Sequence, residues 1–245
     1  MQLELRIKAF TMENTNTPES LRLLSNAHAI SWSFSDEEKA ASNKKTVSLM
    51  TPLERSVPRH YGLIQSKVVR ERNVFKMYLE FLGNSCHLIY SAEKTRTGSY
   101  VIFDGTAGTS LGSLSKISTN GSTVGYSLEV PDDTRNLAEV AKILYEVPSI
   151  LHVLKDSPPR RAHVIVHGID SVETKEPSVK GGGQRGLNFY GRGREPSCKN
   201  MQLQSRTSKV VLQMVKWEKD VFHLDYNFPF DKFHAFGFAL AQFVL

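Results

Sequence analysis

The segment from Glu93 to Tyr100, EKTRTGSY, carries two cations two positions apart, with hydroxyl side chains around them. On an extended chain, residues i and i+2 share a face, so the spacing predicts Lys94 and Arg96 side by side, with Thr97 and Ser99 as neutral donors beside them. That set suits a compact, multiply charged anion. The cations neutralise it and donate charge-assisted hydrogen bonds, while the hydroxyls fix its orientation. Solvated cations at a strand edge would carry the same pattern, so the pair gains meaning only from what surrounds it.

A second basic feature is broader. Across 180–216 the cations Lys180, Arg185, Arg192, Arg194, Lys199, Arg206, Lys209 and Lys216 face a single acid, Glu195. Such a stripe fits an anionic bilayer, a nucleic-acid backbone, or an ordinary solvated face. Arg192 lies in a Gly-Arg-Gly turn and is expected to tie that turn to a neighbouring strand. Catalytic patterns are weak. GGGQRG (181–186) lacks the GK[ST] ending of a phosphate loop, and Cys86-His87 are chain neighbours without being a nucleophile and its base. The two cysteines form neither a disulfide framework nor a zinc spacing, which predicts an intracellular chain with reduced thiols. No apolar run has the length of a signal peptide, and none reaches the ~20 residues of a membrane span. No metal, cofactor or catalytic residue is implied.

The elements that must position these cations are short. LIQSKVVR (63–70), FKMYLEFL (75–82), HLIYS (87–91), SYVIF (99–103), SLGSLSKI (110–117), TVGYSLEV (123–130), ILYEV (143–147), AHVIVHGI (162–169), GLNFYG (186–191), KNMQLQ (199–204), SKVVLQMVKW (208–217) and DVFHLDY (220–226) are β-type segments separated by turn residues. LAEVAKILYEV (137–147) also suits a helix by composition. Asp225 is expected to bond the turn into the last element. That element, within 228–245, holds six of the 13 phenylalanines and is apolar all round from Phe233 onward, with Pro229 suiting its start. A helix over 229–244 would be ~22 Å long, too short to cross a bilayer and about the height of a barrel. The sequence therefore predicts an all-β fold, a closed antiparallel barrel around a hydrophobic central helix. Eleven or twelve strands would leave room for it.

The 245 residues include 31 Lys+Arg and 25 Asp+Glu, a net charge of +6. Residues 1–57 are polar, rich in Ser, Asn, Thr and Glu, and are expected to form a disordered leader before a barrel domain at 58–245. The first 60 residues hold eight basic and seven acidic side chains, so nearly all the positive excess belongs to the barrel.

Four motifs carry a family resemblance: PRHYGLIQSKVVRERN (58–73), PPRRAHVIVHGI (158–169), LNFYGRGREPSCKNMQL (187–203) and DVFHLDYNFPFDKFHAFGFALAQF (220–243). Together they resemble the C-terminal domain of the Tubby-like family. The resemblance implies a closed barrel of about twelve antiparallel strands around the C-terminal helix. It also implies a cationic pocket for phosphatidylinositol 4,5-bisphosphate and a non-enzymatic, membrane-tethered adaptor or regulator. The family's phosphoinositide-binding basic pair falls on Lys94 and Arg96. The family stretch Gly-Lys-Leu-Arg-Ser-Asn corresponds to GSLSKIST (112–119), where Lys116 takes over the arginine's charge as the third candidate. The chain is accordingly expected to be a monomer at the cytoplasmic face of the plasma membrane, in the cytosol and in the nucleus. Protein partners are expected through residues 1–57. Two other readings stay open at this point: a nuclear nucleic-acid-binding transcriptional regulator using the 180–216 stripe, and a ligand-free protein-interaction scaffold.

Overall fold

In a computed structural model, residues 59–119, 121–132, 136–146, 160–168, 171–179 and 185–245 are described, the side chains of Val179 and Arg185 excepted. The leader at 1–57 lies outside the described residues. From the N-terminal side the strands are β1 (Arg59–His60), β2 (Leu63–Ile64), β3 (Ser66–Glu71), β4 (Val74–Glu80), β5 (Cys86–Lys94), β6 (Tyr100–Asp104), β7 (Ser110–Ile117) and β8 (Thr123–Pro131). They continue as β9 (Leu137–Glu146), β10 (Ala162–Val166), β11 (Val172–Thr174), β12 (Ser178–Val179), β13 (Arg185–Gly186), β14 (Met201–Gln204), β15 (Val210–Glu218) and β16 (Val221–Tyr226). One helix follows, α1 (Lys232–Val244).

Twelve of these strands close a ring. The antiparallel order runs β16-β15-β14-β11-β10-β9-β8-β7-β6-β5-β4-β3, and β3 pairs back to β16 through Val69 with Val221, Val68 with Phe222 and Lys67 with His223. β1 and β2 extend β16, and β12 and β13 form a separate ribbon. The period of two decides which side chains enter. In β4, Phe75, Met77 and Leu79 are buried, while Val74, Lys76, Tyr78 and Glu80 on the other face are partly exposed.

A closed ring of this size would be hollow, and α1 fills it. Ala235, Phe236, Phe238, Ala239, Leu240 and Ala241 are each at 0% exposure. Phe236 stacks on Tyr90 at 6.0 Å, and Phe243 lies 4.8 Å from Phe75 and 5.0 Å from Phe222 between ring centroids. Each such Phe stabilises by about 1.5–3 kcal/mol through burial alone. At Gly237 a β-carbon would come within 2.7 Å of both Leu128 methyls, so glycine lets the helix approach β8.

Several sequence expectations change. The helix begins at Lys232 rather than at 229, because Asp231 is the N-cap: its extended backbone precedes the first turn and its carboxylate accepts from the His234 N–H at 2.8 Å. The ambiguous 137–147 segment is strand β9, paired on both sides. GLNFYG forms no barrel strand, since Tyr190 (φ 54°) and Gly191 (φ 79°) turn the chain there. The strand in its stead, β11, is too short at three residues to show alternation.

Candidate functional site

One mouth of the barrel collects the predicted cations. β5 ends at Lys94, β7 ends just after Lys116, and α1 ends between them and the opposite wall. Lys94 continues the inward-facing row of Tyr90 and Ala92 and pairs in register with Tyr100, which pairs with Leu114. Lys116 continues the inward row of Gly112 and Leu114 and pairs with Tyr126. Both lysines are thus the first exposed residues above the buried layer. From a strand spacing of ~4.8 Å and a rise of ~3.3 Å per residue, their Cα atoms stand roughly 12 Å apart, close enough for two lysine side chains to converge on one anion.

Arg96 is a correction to the expected strand face. β5 stops at Lys94, and Arg96 sits in the turn Thr95–Ser99, where Thr95 N–H donates to Ser99 O at 2.8 Å and Gly98 N–H to Thr95 O at 3.1 Å. Two-apart spacing therefore does not align Lys94 with Arg96; Arg96 projects from the tip beside them. Nor are the neutral donors as foreseen. The hydroxyls of Thr95 and Thr97 bond each other at 2.8 Å, and Thr95 donates on to Ser99 O at 3.1 Å. No carboxylate among the described residues pairs with Lys94, Arg96 or Lys116.

The floor of this mouth is phenolic and cationic, which sequence reading did not foresee. Burial, with the neighbouring Tyr126, raises the Tyr100 phenol, and burial raises Tyr126 and pushes Tyr145 well up. All three therefore stay protonated at neutral pH. Arg160 donates to Gln242 O at 3.3 Å and Leu245 O at 3.0 Å, and Lys199 donates to Gln242 O at 2.7 Å. These cations satisfy the last carbonyls of α1 and oppose the negative end of its dipole. Burial, followed by the charge of Arg160, lowers the Lys199 pKa.

Part of the broad stripe is engaged by the protein itself. Arg192 is spent on the protein: its Nε donates to Asp225 Oδ2 at 2.9 Å and its NH2 to Asp225 Oδ1 at 2.7 Å, to Glu80 Oε2 and to Ser66 O at 3.3 Å. Burial works against the Arg192 charge, but Asp225 and Glu80 outweigh it and raise the pKa. Asp225 is fully buried and also accepts from Gln213 at 2.8 Å, so it secures the 187–200 loop to the barrel wall and not the turn into α1. Lys216 pairs with Glu195 at 2.5 Å, Arg194 lies over the Trp217 ring at 4.8 Å, and Lys199 faces the helix end. Lys180 and the side chain of Arg185 lie outside the described residues. Among the described residues no His/Cys/Asp/Glu group could hold a metal, and no helix is long and apolar enough to cross a membrane.

The comparisons with known proteins fall on the same part of the chain. Residues 173–244, which run from β11 through the Arg192 loop to the end of α1, match the family model described as the Tub family. This C-terminal part of the chain is similar to the Tub family. It is 41% identical over 59 residues to the proteins named king tubby of Drosophila sechellia, Drosophila yakuba and Drosophila simulans, a stretch that covers 23% of this chain and 13% of each relative. The chain thus spans about an eighth of the length of the curated relatives it matches. The family match takes in the plug and the Arg192–Asp225 tie that hold the barrel together. Lys94, Arg96 and Lys116 lie outside the matched span, so the case for the site stands on the geometry of the mouth.

Proposed function

We propose that this chain is a Tubby-like, membrane-tethered regulator whose barrel mouth binds phosphatidylinositol 4,5-bisphosphate. The observation that carries the reading is the pairing of Lys94 and Lys116 on the inward rows of β5 and β7, with Arg96 on the adjoining turn and no carboxylate partner among the described residues. An inositol bisphosphate presents two phosphates on a rigid ring, and two ammonium groups approaching from strands two apart, with a guanidinium at the tip, match that charge and span. The protonated phenols below offer a polar floor without adding negative charge. A few such contacts give a headgroup-selective site, and the positive excess of the barrel adds a less selective attraction of about 1 kcal/mol per cation near an anionic surface, screened beyond ~8 Å. On this reading the protein resides on the cytoplasmic face of the plasma membrane and leaves it when the lipid is hydrolysed.

The test is liposome sedimentation at physiological salt. Vesicles containing phosphatidylinositol 4,5-bisphosphate should retain the protein, vesicles of equal charge made with phosphatidylserine should retain much less, and Lys94→Ala with Lys116→Ala should abolish the difference. Equal binding to both vesicles by the unmutated protein would remove the functional reading. Unchanged selectivity in the double variant would remove the site.

A further inference from the structure

We propose that Arg72 is a fourth cation of this site and reaches the headgroup from the neighbouring hairpin. The inference rests on the phosphoinositide reading above. β3 and β4 are joined by a two-residue turn, Arg72–Asn73, just beyond the pair Glu71 and Val74. Lys94 N–H donates to Asn73 O at 3.3 Å, and Val74 pairs with Glu93. The tip of this turn is therefore fixed against the end of β5, about one strand spacing of ~4.8 Å from the strand that carries Lys94.

The charge at that tip is the one its own hairpin leaves over. Arg70 pairs with Asp220 at 2.9 Å, Lys76 with Glu71 at 2.6 Å, and Lys67 lies over the Tyr78 ring at 5.9 Å. Arg72 is exposed and has no such partner among the described residues. Its backbone is left-handed at φ 57°, a conformation that asparagine or glycine adopts at lower cost, yet the asparagine stands one position later. Arg72, Lys94, Arg96 and Lys116 thus gather four positive charges on three adjoining segments. Like charges so arranged raise one another's energy until an anion arrives. Among them the guanidinium of Arg72 adds a planar fork that can take two oxygens of one phosphate, which neither lysine can do.

Arg72→Asn is the informative change, because asparagine keeps the turn conformation and removes only the charge. Binding is measured to vesicles with and without phosphatidylinositol 4,5-bisphosphate, and to soluble inositol 1,4,5-trisphosphate by calorimetry. We expect Arg72→Asn to weaken both by about tenfold or more, Arg72→Lys to fall between, and the thermal midpoint to stay unchanged. Loss on vesicles with full binding of the soluble headgroup would overturn the proposal, since Arg72 would then touch only the bilayer surface. Binding of Arg72→Asn equal to the unmutated protein, while Lys94→Ala loses it, would overturn the proposal and leave the lipid reading standing. Failure of the unmutated protein to prefer the phosphoinositide would defeat both.

Discussion

The tie between Arg192 and Asp225 supports a quantitative prediction. Replacing Arg192 by Met keeps the aliphatic stem and removes a guanidinium that donates to both Asp225 oxygens, to Glu80 and to Ser66 O. Asp225, at 0% exposure, would be left as a buried carboxylate. Breaking a buried pair by removing one partner costs about 3–5 kcal/mol. The lower end is expected here, because Gln213 at 2.8 Å and Ser66 N–H at 3.3 Å still serve the carboxylate. For a domain of this size, about 3 kcal/mol corresponds to a fall of roughly 6–12 °C in Tm. Guanidinium unfolding of the full chain gives the free energy directly. Adding Asp225→Asn to the Arg192→Met chain should then restore part of the loss, since it removes the stranded charge. A change below about 0.5 kcal/mol, or two substitutions whose effects merely add, would refute the argument that this pair fastens the 187–200 loop to the wall.

Two further outcomes follow from the core and the buried titratable groups. Phe236→Asp places a carboxylate at 0% exposure beside Tyr90 and should prevent cooperative folding, so an unchanged melting curve by circular dichroism would contradict a helix in the barrel centre. Acidification should destabilise the protein in two stages. Burial and then the Arg192 charge hold the His223 pKa below its ordinary value, so the unfolded chain binds the extra proton first; the His223 contribution is complete above about pH 6.5 and is lost as pH falls through the lower folded value. Glu139 and Asp104 act with the same sign at lower pH. Burial opposes their charges, but hydrogen bonds led by Ser127 for Glu139 and Thr106 for Asp104 outweigh it. His223→Gln should flatten the stability profile below about pH 6.5, and an unaltered slope would assign the effect elsewhere.

The barrel and its plug were legible in the chain because both are written as periodicity. Phe75, Met77 and Leu79 alternate inward as a strand requires, and the last element is apolar on every side, which only a surrounded helix tolerates. Contacts between distant residues were not legible. Arg192 could be read as a tie from its Gly-Arg-Gly turn, but its partner stands 33 positions away and looked like part of the helix entry. Part of the stripe was hidden for the same reason: composition supplies the sign of Lys216, Arg194 and Lys199, while Glu195, the Trp217 ring and the Gln242 carbonyl that engage them depend on the fold. At the mouth, one expected geometry differs in the structure. Gly98, at φ 89°, belongs to the turn that keeps Arg96 off the strand, while Lys94 pairs across the sheet with Tyr100 and Lys116 with Tyr126.

The central helix also sets the order of events during synthesis. The ring closes only when β16 meets β3, some 150 positions apart, and the side chains that fill its interior follow β16 in the chain. A nascent chain emerging N-terminus first exposes the inward faces of eleven strands before either the seam or the filling exists. With contacts so distant in sequence, closure is slow compared with a helical domain. Until α1 has emerged, the inward faces of those strands have no interior to pack against.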